Sequence, residues 1–235
     1  MRLFELTYAC RIYGAGFDSA LSRFRNDVRP QLDIENADHR NRLLKWLNDW
    51  GCRHLAKEHH SIASNALLAW ARTQCFANMP PRNITLLQLS NADINAVREC
   101  FDDLAARIAS ERNTNRGVVQ VSFGPTAAAK TLYAIWPESL PPWDGNIRQP
   151  LHGSKSPMSY SEFLKMHVIP EAETVLTDAA RFGIPPEEIA TVVGRPKSSI
   201  AKLMDEYYWV TVSQGHKPPT IEELRQWATW ADLLC

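Results

Sequence analysis

Residues 121–148 hold the side chains with the clearest chemical potential in the chain. Asp144 follows Pro141-Pro142, which interrupt any helix, and it occupies the predicted N-cap of the next short helix. An ionised carboxylate at such a position can stabilise a developing positive charge and can orient or deprotonate water. Lys130 lies four residues after Thr126 on a predicted helix, so both share one helical face. The segment therefore offers a carboxylate for electrostatic or general-base catalysis and an amine for imine formation.

The order of residues in this segment resembles the signature of the helix-hairpin-helix DNA glycosylases. Gly124 stands at the position of the hairpin glycine. Ala127-Ala128-Ala129 gives the small face that lets two hairpin helices pack closely. Pro137 and Pro141-Pro142 supply the proline-rich loop that precedes the family's aspartate, and Asp144 falls at that aspartate position.

This resemblance covers roughly residues 90–150. It implies cleavage of the N-glycosidic bond of a modified or damaged base in DNA, with Asp144 as the catalytic carboxylate. Such a base must be flipped out of the stack into a pocket lined by stacking side chains. Trp143, Trp136 and Tyr133 are the candidate pocket walls, although aromatic residues at helical spacing also pack in cores. Among bacterial glycosylases, the chain resembles anti-phage enzymes that remove glucosylated hydroxymethylcytosine.

The lysine of the segment departs from the family pattern. Members that also act as lyases carry a lysine in the first turn after the hairpin glycine, where this chain has Thr126. Lys130 lies one turn later, and three roles stay open for it: Schiff-base nucleophile, contact to a phosphate or base, and structural side chain. We prefer the simplest case, in which Asp144 activates water and leaves an intact abasic site. The connection from Asn113 to Phe123 is also longer than the family's tight turn.

Contacts to DNA have to come from local features, because 26 basic and 26 acidic residues give a net charge of zero. The helix that follows the hairpin glycine offers unpaired backbone N–H groups to a phosphate without needing net charge. Cationic side chains in neighbouring predicted loops can add further contacts, and solvated surface charge is their alternative interpretation. The candidate DNA-binding residues are Gly124, Thr126, Arg112, Arg116, Arg148 and Lys155.

The composition is that of an ordinary globular protein, with 235 residues, 45% hydrophobic and 22% charged. Five scattered cysteines indicate reduced thiols in the cytoplasm and exclude a closely spaced iron–sulfur motif. The seven histidines lack metal-ligand spacing, so we expect no metal and no cofactor. Apolar runs are too short or too charged for a signal peptide or a membrane span. The expected partner is DNA, with no membrane and no obligate protein partner.

Hydrophobic periodicity predicts an all-α or nearly all-α protein. Ser90 with Asp93, and Thr220 with Glu223, resemble capping boxes that each open a helix. The β-branched run Val118–Phe123 predicts a short extended segment. Further helices are predicted at about 124–136, 161–168, 171–182, 186–193, 198–209 and 221–233.

The predicted elements suggest one compact unit made of two helical lobes with a DNA-binding cleft between them. The core lobe spans about residues 36–153 and carries the helix-hairpin-helix-like motif with Asp144. Residues 1–35 and 154–235 form the second lobe. Base specificity would come from side chains spread over both lobes, since residues 121–148 supply only part of a pocket.

Two other functions stay open at this point. Residues 186–208 contain Ala190, Gly194 and Ile200, whose spacing resembles the helix-turn-helix of bacterial regulators. In that case Ser198, Ser199 and Lys202 would begin a recognition helix facing the major groove, and the protein would bind a short palindromic site. The other alternative is a helical interaction protein with no catalytic activity.

Overall fold

The computed structural model describes residues 1–14, 19–151 and 158–234, and these residues are mostly helical, which confirms the predicted class. Its strands are β1 (Ile108–Thr114) and β2 (Gly117–Ser122). The α-helices are α1 (Leu3–Tyr13), α2 (Ser19–Asp27), α3 (Ala37–Asp49), α4 (His60–Ala71), α5 (Gln74–Ala77), α6 (Asn91–Ala106), α7 (Gly124–Ile135), α8 (Gly145–Leu151), α9 (Tyr160–Phe163), α10 (Ile169–Arg181), α11 (Ile189–Val192), α12 (Ile200–Tyr208) and α13 (Ile221–Leu234). Single 3-10 turns cover Lys57–His59, Leu86–Gln88 and Pro186–Glu188, and π-helical turns cover Leu164–Val168 and Trp209–Ser213.

Helix α3 anchors the first half of the chain. Its N-cap is Asn36, whose side-chain oxygen accepts hydrogen bonds from the backbone amides of Asp38 and His39. Apolar residues recur along it every three to four positions, so one face, including Leu43 and Leu47, is completely buried. This helix packs against α2, α4 and α7. The C-terminal end of α3 is therefore held in place relative to α7.

An antiparallel two-stranded ribbon, β1–β2, connects α6 to α7. Helix α6 begins with the predicted capping box, in which Ser90 and Asp93 exchange hydrogen bonds between side chain and backbone. The ribbon is closed at its base by a 2.9 Å hydrogen bond from the Phe123 amide to the Arg107 carbonyl. Beyond that base most of its residues are exposed, while α6 and α7 pack against each other. The connection between α6 and α7 is therefore an extended ribbon, and it is longer than the tight turn of the family that the sequence resembles.

The transition from ribbon to α7 depends on the smallest side chains of the segment. Gly124 has φ of +67°, a left-handed conformation that residues with a Cβ rarely adopt. Ala127, Ala128 and Ala129 follow it and are completely buried. Because alanine occupies so little volume, the backbones of α7 and its neighbours can approach closely. The predicted glycine and small-residue face are therefore both used structurally.

The first helix packs with the C-terminal part of the chain. Helix α1 contacts α10, α12 and the π-helical turn that follows α12. Arg195, in the connection before α12, donates a 3.1 Å hydrogen bond from Nη1 to the carbonyl of Gly14, just after α1. Seven of the nine residues of α12 are buried. Helix α12 therefore lacks the solvent-facing surface that a recognition helix would insert into a major groove, which disfavours the helix-turn-helix alternative.

The buried apolar side chains form one large cluster that runs through both halves of the chain. Its aromatic centre includes Phe101, Trp143, Tyr160 and Phe163; the rings of Trp143 and Phe163 stack with centroids 5.3 Å apart. Within the described ranges, no helix combines the length and apolarity needed to cross a bilayer.

Candidate functional site

One cavity, of about 370 Å³, contains both side chains that the sequence marks for chemistry. We call it the Asp144 cavity. It draws on distant parts of the chain: α1, α2, the end of α3, α7, the loop before α8, α12 and the π-helical turn after it. Its lining residues are Tyr13, Ala20, Asp49, Trp50, Lys130, Pro142, Asp144, Asp205 and Trp209.

Asp144 combines a structural role with a position in the cavity wall. It follows the buried residues Pro141, Pro142 and Trp143, so the chain is held firmly up to that point. Its Oδ1 accepts hydrogen bonds from the backbone amides of Asn146 at 2.9 Å and of the following residue at 3.1 Å. It is therefore the N-cap of α8, as predicted, and it also lines the cavity. The capping bonds fix its carboxylate, which has no hydrogen-bond partner from another element in the described part of the chain.

Lys130 is held inside the protein and does not extend to solvent. The residue is 8% exposed, and its Nζ donates a 2.6 Å hydrogen bond to the carbonyl of Trp50. The same ammonium lies 5.5 Å from the centroid of the Trp50 ring, within cation–π range. Lys130 therefore fixes the end of α3 against α7 at the cavity wall. Its side chain does not extend to solvent as that of a surface lysine does.

A second charged group, formed by Lys202 and Asp205 of α12, adjoins the cavity. Lys202 Nζ lies 2.7 Å from Asp205 Oδ2, 3.0 Å from the Tyr13 hydroxyl and 3.8 Å from Glu206 Oε1. Burial alone would lower the pKa of Lys202, but these oxygens raise it well above its ordinary value. Burial raises the pKa of Asp205, and Lys202 opposes that shift. Glu206 also pairs with Arg195 at 2.8 Å.

Aromatic rings form two sides of the Asp144 cavity. Tyr13 and Trp209 meet edge to face with centroids 5.4 Å apart. Trp50 lies parallel to Tyr133, with centroids 6.2 Å apart, and is half-buried. Indole and phenol faces of this kind are suitable surfaces for a planar heterocycle.

The three aromatic residues predicted as pocket walls lie in the core instead. Trp136 is 2% exposed and donates from its indole N–H to the Pro80 carbonyl at 2.9 Å. Tyr133 is completely buried and accepts a hydrogen bond from Arg25 Nη2 at 2.9 Å. Trp143 packs in the aromatic cluster of the core. None of the three is among the described residues that line the cavity, although Tyr133 stacks on Trp50, which does line it.

Four of the six predicted DNA-contacting residues fall into two groups. Gly124 and Thr126 line a second pocket, of about 320 Å³, at the N-terminus of α7. Arg112 and Arg116 are exposed on the β1–β2 ribbon. Arg148 and Lys155 belong to neither group.

Arg148 is half-buried, and its guanidinium carbon lies 5.3 Å from the centroid of the Trp143 ring. Burial lowers the pKa of Arg148, and the nearby Asp144 acts against that shift. Its Nη1 is buried and has no hydrogen-bond partner in the described part of the chain. Arg148 thus lies at the edge of the core, packed on Trp143, and is less accessible than a surface arginine. Lys155 lies outside the described residues.

The sequence did not indicate most of the cavity wall. Tyr13, Trp50, Asp205 and Trp209 belong to three segments far apart in the chain, and none of them stands in a local motif. Two weak signals were present. Trp50-Gly51 ends a helix with a large ring beside a glycine, and Lys202 with Asp205 places opposite charges at i, i+3 on an apolar helix.

In the described ranges, no three histidine, cysteine, aspartate or glutamate residues are grouped as metal ligands. Comparisons with protein-family models, with curated protein sequences and with solved structures each gave no match. Function is therefore inferred from the residues and geometry of the cavity.

Proposed function

We propose that the protein is a DNA N-glycosylase that takes a modified or damaged base into the Asp144 cavity. The observation that carries this proposal is the meeting of Asp144 and Lys130, both selected from the sequence alone, in one cavity with aromatic walls. A volume of about 370 Å³ falls within the usual range of about 300–1,000 Å³ for small-molecule sites. A flipped base would lie against Trp50 or Trp209.

The charges of the cavity favour this chemistry. Its lining includes three carboxylates, Asp49, Asp144 and Asp205, against the single ammonium of Lys130. Departure of a base leaves positive charge on the deoxyribose, which a nearby fixed carboxylate stabilises. Asp144 is the best placed because backbone amides already orient it, so little reorganisation is needed. The same carboxylate then accepts a proton from attacking water.

A two-lobed arrangement of the helices, with the cavity between the lobes, is part of this proposal. In this proposal α2 to α7 form one lobe, and α1 with α8 to α12 form the other. The lobe limits differ from those predicted, because α2 packs on α3 and α8 packs on the π-helical turn after α12. DNA would approach along the face that carries the ribbon. Lys130 is six residues beyond Gly124, or about 9 Å along α7, so one duplex can reach both.

The direct test is incubation with duplexes that each carry one modified base, including glucosylated 5-hydroxymethylcytosine. We expect strand breaks in at least one duplex after treatment with alkali or an abasic-site endonuclease. Breaks should be absent before that treatment. If enzyme in excess releases no base from any duplex, the proposal fails.

The role of Lys130 gives a first specific prediction. Its ammonium is committed to the Trp50 carbonyl at 2.6 Å, so it is poorly available as a nucleophile. We expect borohydride to trap no covalent enzyme–DNA adduct, and we expect Lys130→Met to leave the product an intact abasic site. Loss of this charged hydrogen bond should destabilise the fold by about 1.5–3 kcal/mol, measured by urea unfolding. A wild-type adduct that disappears in Lys130→Met would instead make Lys130 the nucleophile.

The ribbon gives a second prediction. If Arg112 and Arg116 contact phosphates, replacing both by alanine removes two counterion-releasing contacts. The slope of log affinity against log salt concentration should then become shallower by about 2, while excision at saturating protein is unchanged. Arg181→Ala is the matched control, because Arg181 has a side chain 74% exposed on α10. An equal effect of the control, or no change of slope in the double variant, would remove the ribbon from the DNA surface.

A further inference from the structure

Asp205 is a second carboxylate in the Asp144 cavity, and its two oxygens have different surroundings. Oδ2 holds the 2.7 Å ion pair with Lys202. Oδ1 makes no hydrogen bond or ion pair in the described part of the chain. The side chain is only 10% exposed, and the residue lines the cavity. Because Oδ1 has no partner among the described residues and Asp205 lines the cavity, this oxygen can accept a hydrogen bond from a ligand there.

The position of Asp205 is fixed by its neighbours. Lys202 precedes it by three residues on α12, and the Lys202 side chain is 3% exposed. That ammonium is itself held by the Tyr13 hydroxyl at 3.0 Å. Fixing both the helix and the ion pair leaves the Asp205 carboxylate little freedom to rotate. It is therefore a preorganised acceptor, as a residue that discriminates between ligands must be.

The three carboxylates of the cavity are not equivalent. Asp144 uses Oδ1 to cap α8, and Asp49 is exposed at the end of α3. Asp205 is the most deeply buried of them, and Tyr13 and Trp209 line the same cavity. A base inserted deeply into the cavity would therefore bring a polar edge to Asp205.

We propose that Asp205 is the specificity-determining residue of the site and selects bases with an exocyclic amino group. This inference rests on the proposed glycosylase function. A carboxylate oxygen accepts a hydrogen bond from the amino group of a cytosine-like or adenine-like base. The carbonyl that replaces that amino group in a uracil-like or hypoxanthine-like base would face the carboxylate with a second acceptor. The amino base donates to Oδ1, and the carbonyl base places a second acceptor against it.

The test compares bases in which a carbonyl replaces the exocyclic amino group, a change that also converts the adjacent ring nitrogen from an acceptor to a donor. The probes are duplexes containing 5-hydroxymethylcytosine or 5-hydroxymethyluracil, their glucosylated forms, and adenine or hypoxanthine. Each base is placed opposite an abasic-site analogue, so that pairing does not differ within a matched pair. Binding is measured by fluorescence anisotropy with the Asp144→Asn protein, which separates recognition from bond cleavage. Excision is measured in parallel with the wild-type protein.

We expect the amino member of at least one pair to bind about 10- to 100-fold more tightly, the usual range for a hydrogen bond to a charged group. Adding Asp205→Asn should bring the two members to similar affinity, because an amide offers both a donor and an acceptor. Its size and its oxygen still suit Lys202, and thermal unfolding checks the fold. The comparison within the Asp144→Asn protein needs no change at Asp205.

The outcomes separate this inference from the proposed function. Equal binding within every pair, preference for the carbonyl members, no binding to any probe, or preference retained after Asp205→Asn each overturns the role of Asp205. Excision without an amino preference would leave the glycosylase intact and the inference wrong. An amino preference in binding, with no excision by wild-type protein, would support Asp205 as a base reader and remove the glycosylase.

Discussion

Asp144→Asn should reduce base release by about 100- to 1,000-fold, the loss seen when one fixed electrostatic contact to a transition state is removed. The carboxylate charge is lost, while the side-chain oxygen that accepts from the amides at 2.9 and 3.1 Å is retained. Because asparagine caps helices about as well as aspartate, the free energy of unfolding should change by less than about 1 kcal/mol. Single-turnover excision and urea unfolding measure the two effects.

Asp93→Asn is the control for this experiment. Asp93 is also a half-buried carboxylate in the first turn of a helix, where it accepts from the Ser90 amide, but it belongs to α6 and does not line the cavity. We expect its substitution to leave excision unchanged. If Asp144→Asn excises at the wild-type rate, Asp144 only caps α8 and the catalytic assignment is wrong.

Lys202→Met should be the most destabilising substitution near the cavity, at about 3–5 kcal/mol. The ammonium of Lys202 is buried beside Asp205 at 2.7 Å and near Glu206 at 3.8 Å. Removing it leaves buried negative charge without its compensating partner. Arg42→Met is the matched control: it also breaks an ion pair, to Asp38, but both partners are exposed, so the cost should stay below about 1 kcal/mol. Similar losses in the two variants would show that the Lys202 pair is not energetically buried.

The free energy of unfolding of Lys202→Met should depend on pH more strongly than that of the wild type. Burial raises the pKa of Asp205, and Lys202 is the group that opposes the shift. Without Lys202, the folded protein holds the Asp205 proton to higher pH than the unfolded chain does. Protonated Asp205 then contributes stability at low pH, and this contribution is lost as the pH rises through the pKa of Asp205 in the folded protein. The deficit of Lys202→Met should therefore be larger at about pH 8 than at about pH 5, as unfolding at both pH values can show.

Local patterns account for the parts of the fold that were predicted. The capping boxes at Ser90 and Thr220, and the N-cap at Asp144, depend on residues within three positions of each other. Such bonds form in the same way whatever the rest of the chain does. The glycine and alanines of α7 belong to the same class, since their conformational and volume effects are local. For these features the sequence is sufficient.

The ribbon and the cavity wall depend on contacts that no local pattern contains. Residues 108–114 carry no strand pattern of their own, and their largely polar sequence becomes a strand only by pairing with β2. Trp50 lies at the cavity because α3 packs on α7, a contact between segments far apart in the chain. Trp136 shows the converse. It was predicted to line the pocket because it is close to Asp144 in sequence, but it is buried and donates a hydrogen bond to the Pro80 carbonyl.

The base of the ribbon is held by the hydrogen bond between Phe123 and Arg107 and by the packing of β1 against α4, whereas its outer residues are exposed. Adding or removing two residues in the outer part of each strand would keep the pairing and the face of every side chain, and would leave α6 and α7 where they are. The outer part of the ribbon is thus an exchangeable module. Evolution or an engineer could vary its length and its tip to suit a different DNA shape, while the cavity that would perform the chemistry stays the same.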